Sequence, residues 1–254
     1  MIKSSFIFLD GVGYTTEKRL WQRGVLCWDD FLGLKGIAGI SRDRKASHDV
    51  TLENARSSMS DCERTFFSRR LKKGDHWRLY PDFKKRVCFL DIETTGLGYG
   101  NDITVVGVYD GSEVRSYVKG DNLTEQALAE EFSRHSLIVS FYGSAFDVPF
   151  IKSKYPRLNL DVPHMDLCFA SRKIGLRGGL KSIEREIGLA RGDDIAGVDG
   201  FEAVRLWRRW ERRGDREAFE RLMEYNRADV VNLEVLADLV YKRLWDKTFT
   251  PDVS

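Results

Sequence analysis

Three short stretches carry acids where a folded chain has little reason to keep them. Asp91 and Glu93 lie two apart in Val87-Cys88-Phe89-Leu90-Asp91-Ile92-Glu93, an apolar run closed by Thr94-Thr95-Gly96. On a strand, residues two apart point to one face, so the two carboxylates share it. Burying them costs several kcal/mol each unless cations neutralise them. A divalent metal would do so; the plain alternative is a strand end with two solvated acids. Asp147 sits in Phe146-Asp147-Val148-Pro149-Phe150, which reads equally well as an ordinary helix N-cap. Tyr225 and Asp229, in Tyr225-Asn226-Arg227-Ala228-Asp229, are four apart and share a helix face, as they would on any amphipathic helix with a polar side. Together, Asp91, Glu93, Asp147 and Asp229 offer hard oxygen donors of the kind that suit magnesium or manganese. Two such ions about 3.5–4 Å apart stabilise the attacking and leaving oxygens of phosphodiester hydrolysis.

The elements that must position these acids follow from patterning. A strand is expected from residue 87, followed by strands over 103–109 and 113–118 joined by the tight Asp110-Gly111 turn. Helical spacing covers 124–135 with Thr124 as cap, then come a strand over 137–141, a short helix over 146–155 and a short strand at 164–167. From residue 180 the chain is helical with Gly breaks, ending in one long helix over 216–245. Three meander strands followed by strand–helix alternation give an α/β fold with a mixed sheet flanked by helices. Before it, residues 1–83 read as a small helical N-terminal module. In it Thr15 or Thr16 caps a helix bearing Leu20 and Trp21, a longer helix spans 52–71, and 75–85 connects to the second part, 84–254.

FLDIETTG, FDVPF and YNRAD, in that order, resemble the three motifs of the DEDD 3′–5′ exonucleases of the ribonuclease H-like superfamily. The chain is also similar to the stand-alone YprB exonuclease-like family and to the proofreading domain of family B polymerases. The resemblance implies a ribonuclease H-like mixed five-stranded sheet and a two-metal site. It implies that Asp91 bridges both ions, that Glu93 and Asp229 complete the nucleophile-side ion, and that Asp147 holds the second through water. Tyr225 would orient the attacking water. The histidine subtype places His five residues before the last Asp, where this chain has Glu224, so the tyrosine subtype is implied. Thr94 and Leu97 match positions that contact the terminal nucleotide; the alternative is a strand-end turn with one core Leu. Phe146 reads as core. Tyr142 departs from the Asn common at a position expected to seat the substrate strand. Asp166 is either an extra acid or the cap of the following helix.

The opening LDGVGYTTEKRLWQRGVLCWDDFL resembles a helix-hairpin-helix unit, in which Gly11 and Gly13 would turn backbone amides toward a phosphate beside Lys18 and Arg19. A helical pair packed for stability is the alternative. Residues 203–221 are rich in Arg, with Trp207 and Trp210 between them. Interspersed acids make this a salt-bridged surface over buried Trp rather than a set of named nucleic-acid contacts. The 254 residues carry 41 Lys and Arg against 39 Asp and Glu, so a formal charge of +2 leaves any basic surface local. With 42% hydrophobic residues the composition excludes a disordered or fibrous chain. Cys27, Cys62, Cys88 and Cys168 form neither a zinc knuckle nor a disulfide framework, and no apolar stretch reaches membrane-spanning length. The expectation is a cytoplasmic phosphodiester hydrolase acting at a nucleic acid 3′ end. An exoribonuclease, an endonuclease with the same metal site, and a silent nucleic-acid-binding scaffold are the alternatives.

Overall fold

The structure, a computed structural model, describes residues 1–60, 65–98, 100–192, 195 and 197–251. Five helices come first: α1 (Tyr14–Gln22), α2 (Trp28–Gly33), α3 (Arg42–Ser60), α4 (Thr65–Arg70) and α5 (Tyr80–Phe83). Strands β1 (Val87–Thr94), β2 (Ile103–Tyr109) and β3 (Val114–Val118) make the meander. Then α6 (Glu125–Ser133), β4 (Leu137–Ser140), α7 (Asp147–Lys154), β5 (His164–Asp166) and α8 (Leu167–Lys173) alternate. Helices α9 (Leu180–Glu186), α10 (Gly200–Arg213) and α11 (Arg216–Thr248) follow. The sheet has the order β3-β2-β1-β4-β5, with β2 antiparallel to its neighbours and β4 and β5 parallel to β1. This is the α/β ribonuclease H-like arrangement.

β1 is central because both its faces are apolar enough to be covered. Cys88, Leu90 and Ile92 look to one side, against Leu128 and Phe132 of α6 and Phe150 and Ile151 of α7. Val87 and Phe89 look to the other, into a cluster that includes Leu233, Leu236 and Val240 of α11 and side chains of the N-terminal helices. Asp91 and Glu93 continue that second face. Opposite them, the apolar face of α11 is interrupted by Tyr225, Asn226 and Asp229, between Leu222 and Leu233. Strand pleat and helix pitch thus bring acids from both elements to one end of a shared apolar seam.

The N-terminal helices join the same core rather than standing apart from the sheet. Tyr80 meets Phe89 edge-on at 6.4 Å, Trp77 lies 6.0 Å from Tyr241, and Trp21 lies 5.1 Å from Phe249. Arg78 and Glu17, each 1% exposed, pair at 2.9 Å. Ser5 Oγ and the Phe6 amide donate to the same Glu17 carboxylate at 2.8 and 2.7 Å. Residues 75–85, expected only to connect, bury Trp77, Leu79, Tyr80 and Phe83.

Several local expectations are corrected. Gly13, not Thr15 or Thr16, is the N-cap of α1, and it makes no side-chain cap bond; both threonines lie inside the helix. The long helix expected over 52–71 begins at Arg42, with Ser41 Oγ accepting from the Arg44 amide at 3.4 Å. Described helix resumes at Thr65, and Cys62 falls outside the described residues. Thr124 caps α6 by accepting from the Ala127 amide at 3.1 Å. On α10, Arg209 pairs with Asp215 and Arg205 with Glu202, while Trp207 is buried and Trp210 packs on Phe219. Cys27, Cys88 and Cys168 are free thiols. Among the described residues no helix is long and apolar enough to cross a membrane.

Candidate active site

Asp91, Glu93 and Asp229 each present a carboxylate oxygen, and these oxygens all lie within 4.8 Å of one another. Glu93 and Asp229 are buried; Asp91 keeps an opening to solvent. Burial pushes the Asp91 and Glu93 carboxyls well above the ordinary range, and the neighbouring carboxylates, Asp229 foremost, push in the same direction. Asp229 is raised chiefly by burial, against the pull of Arg191. Three buried acids and the half-buried Asp91 in one region, counting Asp147, are a donor set that cations would relieve, so the residues present fit divalent metal.

Asp147 stands outside the 4.8 Å group. It is not the N-cap of α7, a place taken by Phe146; its Oδ1 instead accepts from the Ile92 amide of β1 at 3.1 Å. Burial raises it to about 7, with the Asp166 and Asp229 carboxylates adding to the effect and the backbone amides opposing it. Asp166 caps α8 through the Cys168 amide at 3.0 Å, as one of its expected roles required. It also accepts from the Tyr142 amide (2.9 Å), the Ser144 amide (3.0 Å) and Ser144 Oγ (2.6 Å). One carboxylate therefore folds the turn that delivers Asp147. Tyr142 in that turn has φ +66°, uncommon for a residue with a side chain. At Gly143 a methyl group would run into Ser140 Oγ, so the turn needs glycine for space.

Tyr225 is buried on α11 within reach of the Asp229 carboxylate. Burial, then Asp229, Glu93 and Asp91, push its phenol far above the usual range. The Lys181 ammonium sits 4.6 Å from its ring centre and the Arg191 guanidinium 5.7 Å. Glu224, at the position where the histidine subtype carries His, is exposed and pairs with Arg227 at 3.4 Å. Thr94 is buried, its hydroxyl donating to the Gly96 carbonyl at 2.8 Å. Leu97 is 75% exposed, which rules out a core role. Phe146 packs on Phe150 at 5.5 Å at the edge of the second apolar cluster.

Sequence reasoning missed Asn226, Gly107, Arg191, Glu184 and Asn232. Asn226 donates from Nδ2 to Asp91 Oδ2 at 2.8 Å, and it fits because the β2 residue paired with Asp91 is Gly107, where a methyl would strike the Asn226 amide. Asn226 lies inside the YNRAD motif, so its position was a signal left unused. Arg191 ion-pairs with Asp229 and grips Glu184 at 2.6 and 2.8 Å. Glu184 also accepts from Asn232 Nδ2 at 2.9 Å. Arg191 comes from the irregular stretch between α9 and α10, where no periodicity points to its target.

A family model described as RNase_H superfamily matches residues 88–241, more than half of the chain, and its span holds every one of these acids. The chain belongs to the RNase_H superfamily. Over 188 residues it is also 27% identical to "Uncharacterized protein YprB" of Bacillus subtilis (strain 168), covering 66% of this chain and 45% of that protein. The chain thus spans less than half the length of that relative. The acidic cluster lies within the matched span and is the candidate divalent-metal site of this domain.

Proposed function

We propose that the chain is a metal-dependent 3′–5′ exonuclease of the tyrosine subtype (DEDDy), cleaving phosphodiester bonds at an accessible 3′ end of DNA or RNA with Mg2+ or Mn2+. The observation that carries this reading is the mutual approach of Asp91, Glu93 and Asp229 within 4.8 Å, with Tyr225 one helical turn before Asp229. Asp91, Glu93, Asp147 and Asp229 are the residues that would hold two ions, which supply an activated water and charge stabilisation when bound. Asn226 orients Asp91, and the Ile92 amide orients Asp147. Burial and the neighbouring acids raise the Tyr225 phenol, which supports a water-positioning hydroxyl rather than a base. Leu97 is exposed for apolar packing on a terminal nucleotide, and Thr94, its hydroxyl engaged, would contact it by backbone. In this reading residues 84–254 are the nuclease domain and 1–83 an accessory helical module.

One observation favours a second reading. Arg191 already neutralises Asp229, as it would in a nucleic-acid-binding scaffold that works without metal. A 5′-labelled oligonucleotide, as DNA and as RNA, incubated with magnesium or manganese separates the two. Stepwise shortening from the 3′ end, abolished in Asp91→Ala, is the result expected of the exonuclease. An internal cut as first product would indicate endonuclease action, and binding without cleavage would indicate the scaffold.

A further inference from the structure

A cavity of about 450 Å³ lies between the N-terminal part, at Ser68 and 73–77, and the α7, β5 and α8 elements of the sheet domain. That is within the size of ordinary ligand sites, roughly 300–1,000 Å³. Its position relative to the acids is fixed by sequence: Ser144 and Val148, on either side of Asp147, both line it, as does Asp166. Asp166, whose carboxylate helps raise that of Asp147, is the lining residue that links the cavity to the acidic cluster.

Its chemistry is that of a nucleotide unit. Lys73, Lys152 and Lys173 contribute three ammonium groups. Lys173 is tied to the Gly74 carbonyl; Lys73 and Lys152 are exposed and make no ion pair among the described residues. The two acids in the lining are already engaged. Asp161 faces Arg69 at 3.9 Å, and Asp166 accepts four hydrogen bonds. Three ammonium groups against two carboxylates leave the lining a surplus of positive charge for an anion. Phe169 lines the cavity at 42% exposure, with the Arg172 guanidinium 5.3 Å from its ring centre. Tyr142, 48% exposed, lies 6.0 Å from the Phe169 ring, and Asp166 holds it there in its left-handed backbone. Phe169 shares the lining with unpaired lysines, and Tyr142, outside the lining, extends its aromatic surface; an aromatic platform with a phosphate contact is the combination that binds single strands without sequence preference.

We propose that this cavity seats a nucleotide of a single strand upstream of its 3′ terminus, the base on Phe169 and Tyr142 and the phosphates at Lys73 and Lys152. The inference rests on the nuclease reading of the acidic cluster and gives that site its strand path, with the N-terminal part supplying one wall. The test is fluorescence anisotropy of labelled oligothymidine and oligouridine in chelator, where no cleavage intervenes. Phe169→Ala is expected to weaken binding by about tenfold. The Lys73→Ala/Lys152→Ala double variant is expected to flatten the slope of log affinity against log salt by about 1.4. Both should keep the wild-type manganese-induced rise in Tm, which reports an intact fold and acid cluster. Wild-type affinity and salt slope in both variants, with the wild type still cleaving, would overturn the cavity alone. So would a mononucleotide site that Phe169→Ala destroys without changing oligonucleotide affinity. A wild type that neither binds nor cuts any oligonucleotide would overturn the nuclease reading, and this inference with it.

Discussion

Asp229 is the residue on which opposite demands meet. It contributes an oxygen to the acidic group, touches Tyr225, and is neutralised by Arg191. Manganese should raise Tm in the wild type, because a bound ion stabilises the state that binds it. Asp229→Asn should shrink that rise, as read by thermal denaturation with and without metal; an undiminished rise would argue against Asp229 as a ligand. Asn226 and Gly107 form a second unit. A methyl at Gly107 displaces the amide that donates to Asp91, and a hydrogen bond of this kind is worth about 0.5–1.5 kcal/mol. Gly107→Ala and Asn226→Ala should each destabilise by about that amount, and the double variant by much less than the sum. Neither residue can be found from periodicity, since a glycine in a strand and an Asn in a helix carry no apolar signal.

Among the elements, the turn from β4 to α7 depends on one acid. Asp166→Ala leaves the Tyr142 and Ser144 amides, Ser144 Oγ and the Cys168 amide without their acceptor. A loss of about 3 kcal/mol is expected from urea unfolding, and Asp166→Asn, which keeps one carbonyl oxygen, should lose less. The strands were legible because β1, β2 and β4 are apolar runs bounded by turn residues, and α11 because its apolar spacing is long. The start of α3 was not. Its first turns, Arg-Asp-Arg-Lys-Ala-Ser-His-Asp, carry no apolar stripe, yet they bury Lys45 and His48 against the N-terminal core. The cap of α1 was misplaced because Gly13 caps without a side chain, leaving the threonines as decoys. Asp91, Glu93, Asp147, Tyr225 and Asp229 could be named from motif order, whereas Arg191 reaches Asp229 from a stretch with no regular pattern.

For the whole molecule, the crowded carboxyls tie stability to pH. Asp147, with an ordinary value of 3.8, holds its proton in the folded chain up to about 7, and burial shifts Asp91, Glu93 and Asp229 in the same direction. The unfolded chain releases those protons at lower pH, so the folded state binds more protons in between. In chelator, Tm should therefore fall as pH rises from about 5 to about 8. With manganese present the fall should flatten, because the ion replaces the protons. A metal-free Tm that climbs over that range would count against the buried cluster.

Val87, Phe89, Leu137 and Val139 share an apolar cluster with side chains that begin at the first residues of the chain. A fragment cut at residue 84 would keep every acid of the candidate site yet uncover part of that oily plane, and Asp238 would lose Tyr80 as its donor. Such a trimmed protein should clump on expression, whatever the merit of its chemistry.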